Sequence, residues 1–258
     1  GHPCRGGQPA TGDVRVILLV DIGNSRTKWA FHQAGQWLYP DQGPTGDTSV
    51  LAAAVRAHAP AAAVLSCVAG EGLADAVAAA LPGCPLHWLR PTARGHGLVN
   101  EYAEPEQLGP DRYAGLLACH RRGLAPCVLA SAGTALTVDA LTGEGVFLGG
   151  MILPGLSLMR QALAGGTARL AVAEGDWQAF PRSTSAAIAT GALTAQSAAI
   201  LALRQRLEAH LGQPAGLVLT GGDATRLAPL LPSGTVLERQ LVLEGLLWLA
   251  RDLGLATD

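Results

Sequence analysis

The chain has 258 residues, 49% of them hydrophobic, which is enough to bury a full core in one large domain or two of ordinary size. Its 18 basic and 20 acidic side chains leave a formal charge of -2, so there is no broad cationic field for a nucleic-acid backbone. Five cysteines, at 4, 67, 84, 119 and 127, form no CxxC pair, and the odd count argues against a disulfide framework. The apolar run 14–20 is too short to span a membrane, and no signal peptide is read before it. Residues 1–13 read as a leader or tag remnant, and the expected location is cytoplasmic.

In chain order, Val14 to Val20 predicts a buried strand, and Asp21 to Ser25 a turn at its end. Thr27 to His32 returns as a hairpin partner, and Trp37 to Tyr39 adds a short third strand. Thr48 to His58 predicts a helix, Ala63 to Val68 a strand, Gly72 to Ala80 a helix, and Leu86 to Leu89 a strand. Pro91 to Asn100 reads as a loop, and Leu108 to Arg122 as a helix. The opening pattern then recurs. Pro126 to Ser131, Ala135 to Leu141 and Val146 to Ile152 predict three strands, with a small-residue turn after the first. Helices are expected at Leu156 to Ala164, within Ser183 to His210, at Thr225 to Leu231 and at Leu241 to Leu253, with strands at Leu217 to Thr220 and Val236 to Leu237. Two weakly self-similar lobes account for this order better than one doubly wound sheet.

Five segments are candidates to carry chemistry. In Asp21-x-Gly23-Asn24-Ser25-x-Thr27-Lys28, a carboxylate at a strand end can hold Mg2+ while backbone N–H groups approach phosphate. Gly23 permits a close turn, and Lys28 can supply charge to a phosphate tail; a plain hairpin turn explains the same residues. Ser131-Ala-Gly133-Thr134-x-x-Thr137-x-Asp139 repeats the device after the second buried strand. The recurrence favours a phosphate clamp between lobes. In Tyr102…Gly109-Pro-Asp111-Arg112, Asp111 either caps a helix beside a surface ion pair or takes a proton from an attacking alcohol. Spacing alone leaves both readings open. Gly149-Gly150 and Gly221-Gly222 allow close ligand approach at strand ends, and no GxxxxGK[ST] phosphate loop or metal-spaced histidine pair occurs.

Together DIGNSRTKW, YAEPEQLGPDR, SAGTALTVD, GGMILPG, TSAAIATG and TGGD resemble, in order, the type III pantothenate kinases, or Bvg accessory factor family. The resemblance implies an α/β fold of two ribonuclease H-like lobes, as in the acetate/sugar kinase–Hsp70–actin superfamily. The lobes are expected at 14–118 and 119–239, with a final helix, 240–254, packing back on the first. It implies ATP-dependent phosphorylation of pantothenate, the first step of coenzyme A biosynthesis, in a homodimer. On that model Asp111 is the general base, and Asp21, Gly23, Asn24, Ser25, Thr27 and Lys28 serve Mg2+ and the phosphates. Gly133, Thr134, Thr137, Gly221 and Gly222 line the nucleotide side. Tyr102, Gly109, Arg112 and Thr184 shape the pantothenate site, Thr184 from across the dimer interface.

One residue departs from the family pattern. Many members place aspartate at position 131, where it helps bind K+ or NH4+; this chain has Ser131. Serine lacks the charge, so cation coordination there is expected to differ, weaken or fall to backbone oxygens. Two rival readings remain at this level: a noncatalytic regulatory protein on the same scaffold, and a kinase for another small hydroxyl substrate.

Overall fold

The computed structural model describes residues 15–166 and 175–256. Val14, residues 1–13 (read above as a leader or tag remnant), residues 167–174 and residues 257–258 lie outside the described residues. Two sheets organise the rest. The first contains β1 (Ile17–Ile22), β2 (Arg26–Gln33), β3 (Gln36–Pro44), β4 (Ala62–Cys67) and β5 (Leu86–Trp88), in the order β3-β2-β1-β4-β5. Antiparallel hairpins join β1 to β2 and β2 to β3, while β4 and β5 add in parallel through α1 (Ser49–His58) and α2 (Glu71–Ala79).

The second sheet repeats that arrangement with β8 (Cys127–Ala132), β9 (Ala135–Leu141), β10 (Val146–Pro154), β11 (Gly216–Thr220) and β12 (Val236–Leu237). Its order, β12-β11-β8-β9-β10, has the same connectivity, an antiparallel meander extended by two parallel strands. Two short strands, β6 (Arg94–Gly95) and β7 (Leu98–Asn100), prolong this sheet beyond β10. The segment read as a loop therefore pairs with the second sheet, and the change from the first sheet to the second falls between residues 88 and 94. Two and three residues are too few for a legible alternation.

Alternation along β1 explains its burial. Leu18, Val20 and Ile22 face one core with Trp29, Phe31, Leu51 and Val55; Ile17 and Leu19 face another. That second core is shared. It contains Cys127 and Leu129 of β8, half of α3 (Pro110–Arg121) and most of α7 (Leu241–Asp252), which pack on each other. α7 also lies against β1, β2 and β4 of the first sheet. Arg121 and Arg122 at the end of α3 pair with Asp252, Glu238 and Glu244, so this adjacent basic pair is spent inside the fold.

α4 (Leu156–Gly166) and α5 (Thr184–Leu211) cover the other face of the second sheet. The 28 residues of α5 are long and apolar enough to cross a membrane by length and composition. Burial of Ala189, Leu193, Ile200 and Leu207 against β8 and β9 accounts for that apolarity as a core face. The helix expected over Thr225 to Leu231 is shorter. α6 (Ala224–Leu227) passes into a 3-10 turn at Ala228–Leu230, because Pro229 has no N–H to continue the α ladder. Cys119 is buried, whereas Cys67 is partly exposed.

Candidate active site

A cleft of about 630 Å3 opens where the two sheets face α3 and α7. Asp21, Lys28, Asp111, Ser131, Gly221 and Gly222 line it together, although they come from five separate elements and loops. Asp21 is the fifth residue of β1, on the face of Ile17 and Leu19, where the apolar core gives way to the cleft. Lys28 and Ser66 stand opposite it on the two neighbouring strands. The Ser66 hydroxyl donates to Asp21 Oδ1 at 2.7 Å. Burial raises the Asp21 pKa to about 6; the Ser66 bond opposes this, the nearby Asp111 charge adds to it, and Lys28 opposes it.

β8 presents Ser131 at the equivalent fifth position, flanked by Thr137 and Thr220. The two turns that follow β1 and β8 meet: Ser25 Oγ lies 2.7 Å from Thr134 Oγ1. Gly23 and Gly133 close these turns by donating their N–H groups to Arg26 O and Ala135 O. Gly155 packs against the second turn so closely that a Cβ there would lie 2.1 Å from Gly133 O. Asn24, Ser25 and Thr134 are exposed at the turn tips, beside the cleft lining proper. Thr27 is different. It is buried, and its hydroxyl bonds Thr45 at 3.5 Å, so it braces the hairpin instead of facing the cleft.

Gly221 has φ +98, and a Cβ there would lie 2.2 Å from Ala132 O. The loop therefore hugs the end of β8 in a way that needs glycine. Gly222 beside it faces open space. The far wall consists of Leu237 to Gln240, Val242 and Leu243, facing Trp29 and Pro40 to Gln42.

Asp111 sits in the first turn of α3, after Pro110 at the first helical position, where a fixed φ and a missing N–H suit a helix start. Its Oδ1 accepts the Arg112 N–H at 2.8 Å. Gly109 makes room for this, since a Cβ there would lie 2.6 Å from that oxygen. Burial pushes the Asp111 pKa upward, against the Arg112 N–H and charge. Arg112 is only 6% exposed, and its charge acts on Asp111 as well as on Asp139. It pairs with Asp139, and its Nη1 donates to the Tyr102 hydroxyl at 3.0 Å. Thr184 starts α5 on the surface, outside the cleft lining.

Sequence reading missed Ser66 and assigned no role to Asp139, though it quoted Asp139 at the end of a motif. No cluster of three or more His, Cys, Asp or Glu suited to a metal occurs among the described residues. A lone strand-end carboxylate does fit Mg2+, which keeps several waters and takes phosphate oxygens as ligands. Chemically, the arrangement offers one carboxylate beside a lysine and two small-residue turns, and a second carboxylate on a helix start across the same cleft.

The structural likeness fits this geometry. A Campylobacter jejuni protein of the Baf transcriptional-activator family superposes with TM-score 0.62 at 22% identity, over 92% of this chain and 98% of that one. A Balamuthia mandrillaris glucokinase superposes with TM-score 0.51 at 12% identity, over 94% and 95%. The duplicated sheets and the cleft between them define the acetate/sugar kinase–Hsp70–actin fold class. Sequence narrows this. Residues 17–206 match the type III pantothenate kinase family model. The type III pantothenate kinases of Thiobacillus denitrificans and Chromobacterium violaceum are 43% and 44% identical to this chain. Those alignments cover 91% and 90% of this chain, and 96% and 98% of the relatives. The chain belongs to the type III pantothenate kinase family.

Proposed function

We propose that the chain transfers the γ-phosphoryl group of ATP to the hydroxyl of pantothenate, giving 4'-phosphopantothenate and ADP. The observation that supports this reading best is the meeting of Asp21 and Asp111 in one cleft, near enough for the charge of one to raise the pKa of the other. Family membership supplies the substrate.

In this reading the strand-end turns hold the nucleotide phosphates, with Lys28 neutralising charge on the tail. Asp21 is the carboxylate that would hold Mg2+, which when bound contributes positive charge at the phosphate oxygens. Asp111 faces the acceptor. The pantothenate oxygen forms a bond to the γ-phosphorus as the bond from that phosphorus to the ADP oxygen breaks. The hydroxyl proton passes to the Asp111 carboxylate. Burial helps here: a carboxylate with raised proton affinity is a stronger base than an exposed one, provided it is ionised when the acceptor binds. Little covalent chemistry is asked of the protein, so alignment of the two substrates supplies most of the rate.

The same reading places Tyr102 and Arg112 on the acceptor side and Gly221 and Gly222 under the nucleotide. A homodimer fits exposed Ile152, Leu158, Trp177 and Phe180, which come from β10, α4 and the segment leading to Thr184. Such a contact would let Thr184 of one subunit reach the other's acceptor site. Serine at position 131 favours weak dependence on monovalent cations, and a cytoplasmic location suits the substrates. The test is ATP consumption with pantothenate or with a panel of sugars as acceptor. Pantothenate-dependent ADP release is expected; turnover with a sugar alone would overturn the assignment.

A further inference from the structure

We infer that Asp139 is a positioning residue for acceptor binding, acting through Arg112 on the Tyr102 hydroxyl. The inference rests on the reading that Tyr102 faces the acceptor. Asp139 lies on β9, is fully buried, and grips Arg112 with both oxygens. Arg112 Nε is 3.2 Å from each of Oδ1 and Oδ2, and Nη2 is 2.5 Å from Oδ1. The guanidinium is further confined by the Tyr102 and Phe147 rings, whose centroids lie 5.5 and 5.7 Å from its central carbon.

Space for the pair is built into the neighbouring strand. Gly150 stands directly opposite Asp139 in the β9–β10 ladder. A Cβ at Gly150 would lie 2.2 Å from Asp139 Oδ1 and 2.9 Å from Arg112 Nη2. The missing side chain therefore leaves the volume that the carboxylate and guanidinium occupy. A buried pair of this kind is a poor source of stability, because apolar residues of similar size usually serve as well or better. Its value is orientation.

The orientation has a chemical consequence. A guanidinium has donors and no acceptor, so the Nη1 bond obliges the Tyr102 oxygen to accept. The phenol proton must then point elsewhere, which makes Tyr102 a hydrogen-bond donor toward an acceptor oxygen of the substrate. Without Asp139, Arg112 is free to swing toward Asp111, the other carboxylate whose charge it faces. Asp139 thus keeps the guanidinium on Tyr102 and away from the proposed base.

The test is steady-state kinetics of D139N, R112M, R112M/D139N and Y102F with pantothenate and ATP varied separately. We expect D139N to raise the pantothenate KM about ten-fold or more, with kcat and the ATP KM changed less than about three-fold. In the R112M background, the same substitution should change the pantothenate KM less than about two-fold, because Asp139 acts through the residue already removed. The double variant leaves no lone buried charge, which keeps the comparison accessible if D139N folds poorly. Effects that multiply in the double variant would overturn the proposal. So would a D139N enzyme that loses thermal stability while keeping its pantothenate KM. If Y102F raises that KM and D139N does not, Asp139 alone loses its role; if Y102F also leaves it unchanged, the acceptor-side reading of Tyr102 falls with it.

Discussion

Asp21 and Ser131 occupy the same place in two copies of one strand arrangement. Each is the fifth residue of a six-residue central strand, and each faces the shared cleft. Lys28 and Ser66 flank the first; Thr137 and Thr220 flank the second. The duplicated scaffold therefore carries a charged centre in one half and a neutral hydroxyl centre in the other. This asymmetry organises the expected behaviour of the site.

A neutral Ser131 gives no fixed charge for a monovalent ion. Turnover of the natural chain should change less than about two-fold when K+ replaces Na+ at constant ionic strength. S131D restores a carboxylate at the cleft and should make turnover respond to K+. A strong K+ response in the unaltered chain would show that backbone oxygens suffice.

Asp21 should report pH near 6 in two opposite ways. Its folded pKa, about 6, lies above the ordinary carboxylate value, so the protonated form is favoured by folding. Its stabilising contribution in the ligand-free protein is therefore full below about pH 4 and is lost as pH rises through 6. D21N should narrow the difference in melting temperature between pH 5 and pH 7.5, by the equivalent of about 1–2 kcal/mol. Mg2+-dependent nucleotide binding requires the ionised form and should weaken as pH falls through 6. D21N should abolish that dependence along with most of the binding.

Asp111 is expected to affect turnover, not nucleotide affinity. D111N should lower kcat by about 100-fold or more while nucleotide Kd changes less than about three-fold. Equal weakening of both, with turnover retained at saturation, would assign Asp111 to capping α3.

The two adjacent glycines after β11 should separate folding from binding. G221A must force its Cβ against Ala132 O at a φ of +98, and should cost about 1–3 kcal/mol in stability. G222A meets open space and should leave the melting temperature within about 2 °C. Because Gly222 lines the cleft, its methyl group should instead raise the ATP KM. The reverse ranking in thermal melts would contradict this division.

The strand ends around Asp21 and Ser131 were legible because their signals are local: a β-branched or apolar run, then Gly and small polar residues. The hairpin repeat was legible for the same reason, and it correctly suggested two related halves. Ser66 was not, since its meaning arises only when β4 pairs beside β1 and brings its hydroxyl to Asp21. Asp139 was visible in a motif, but its partner is 27 residues earlier on a helix. The strands at Arg94–Gly95 and Leu98–Asn100 are too short to show a period, and their pairing depends on β10. The contact of the Thr27 hydroxyl with Thr45 was not legible either, because Thr45 lies 18 residues further on, beyond the hairpin.

The most direct test is a single-turnover measurement with MgATP saturating, enzyme in excess of pantothenate, and the product identified by mass and phosphorus NMR. The account predicts 4'-phosphopantothenate in stoichiometric yield from the unaltered chain, and a rate about 100-fold or more slower from D111N at unchanged nucleotide occupancy. No phosphorylated pantothenate from the unaltered chain, or equal rates from the two proteins, would contradict it.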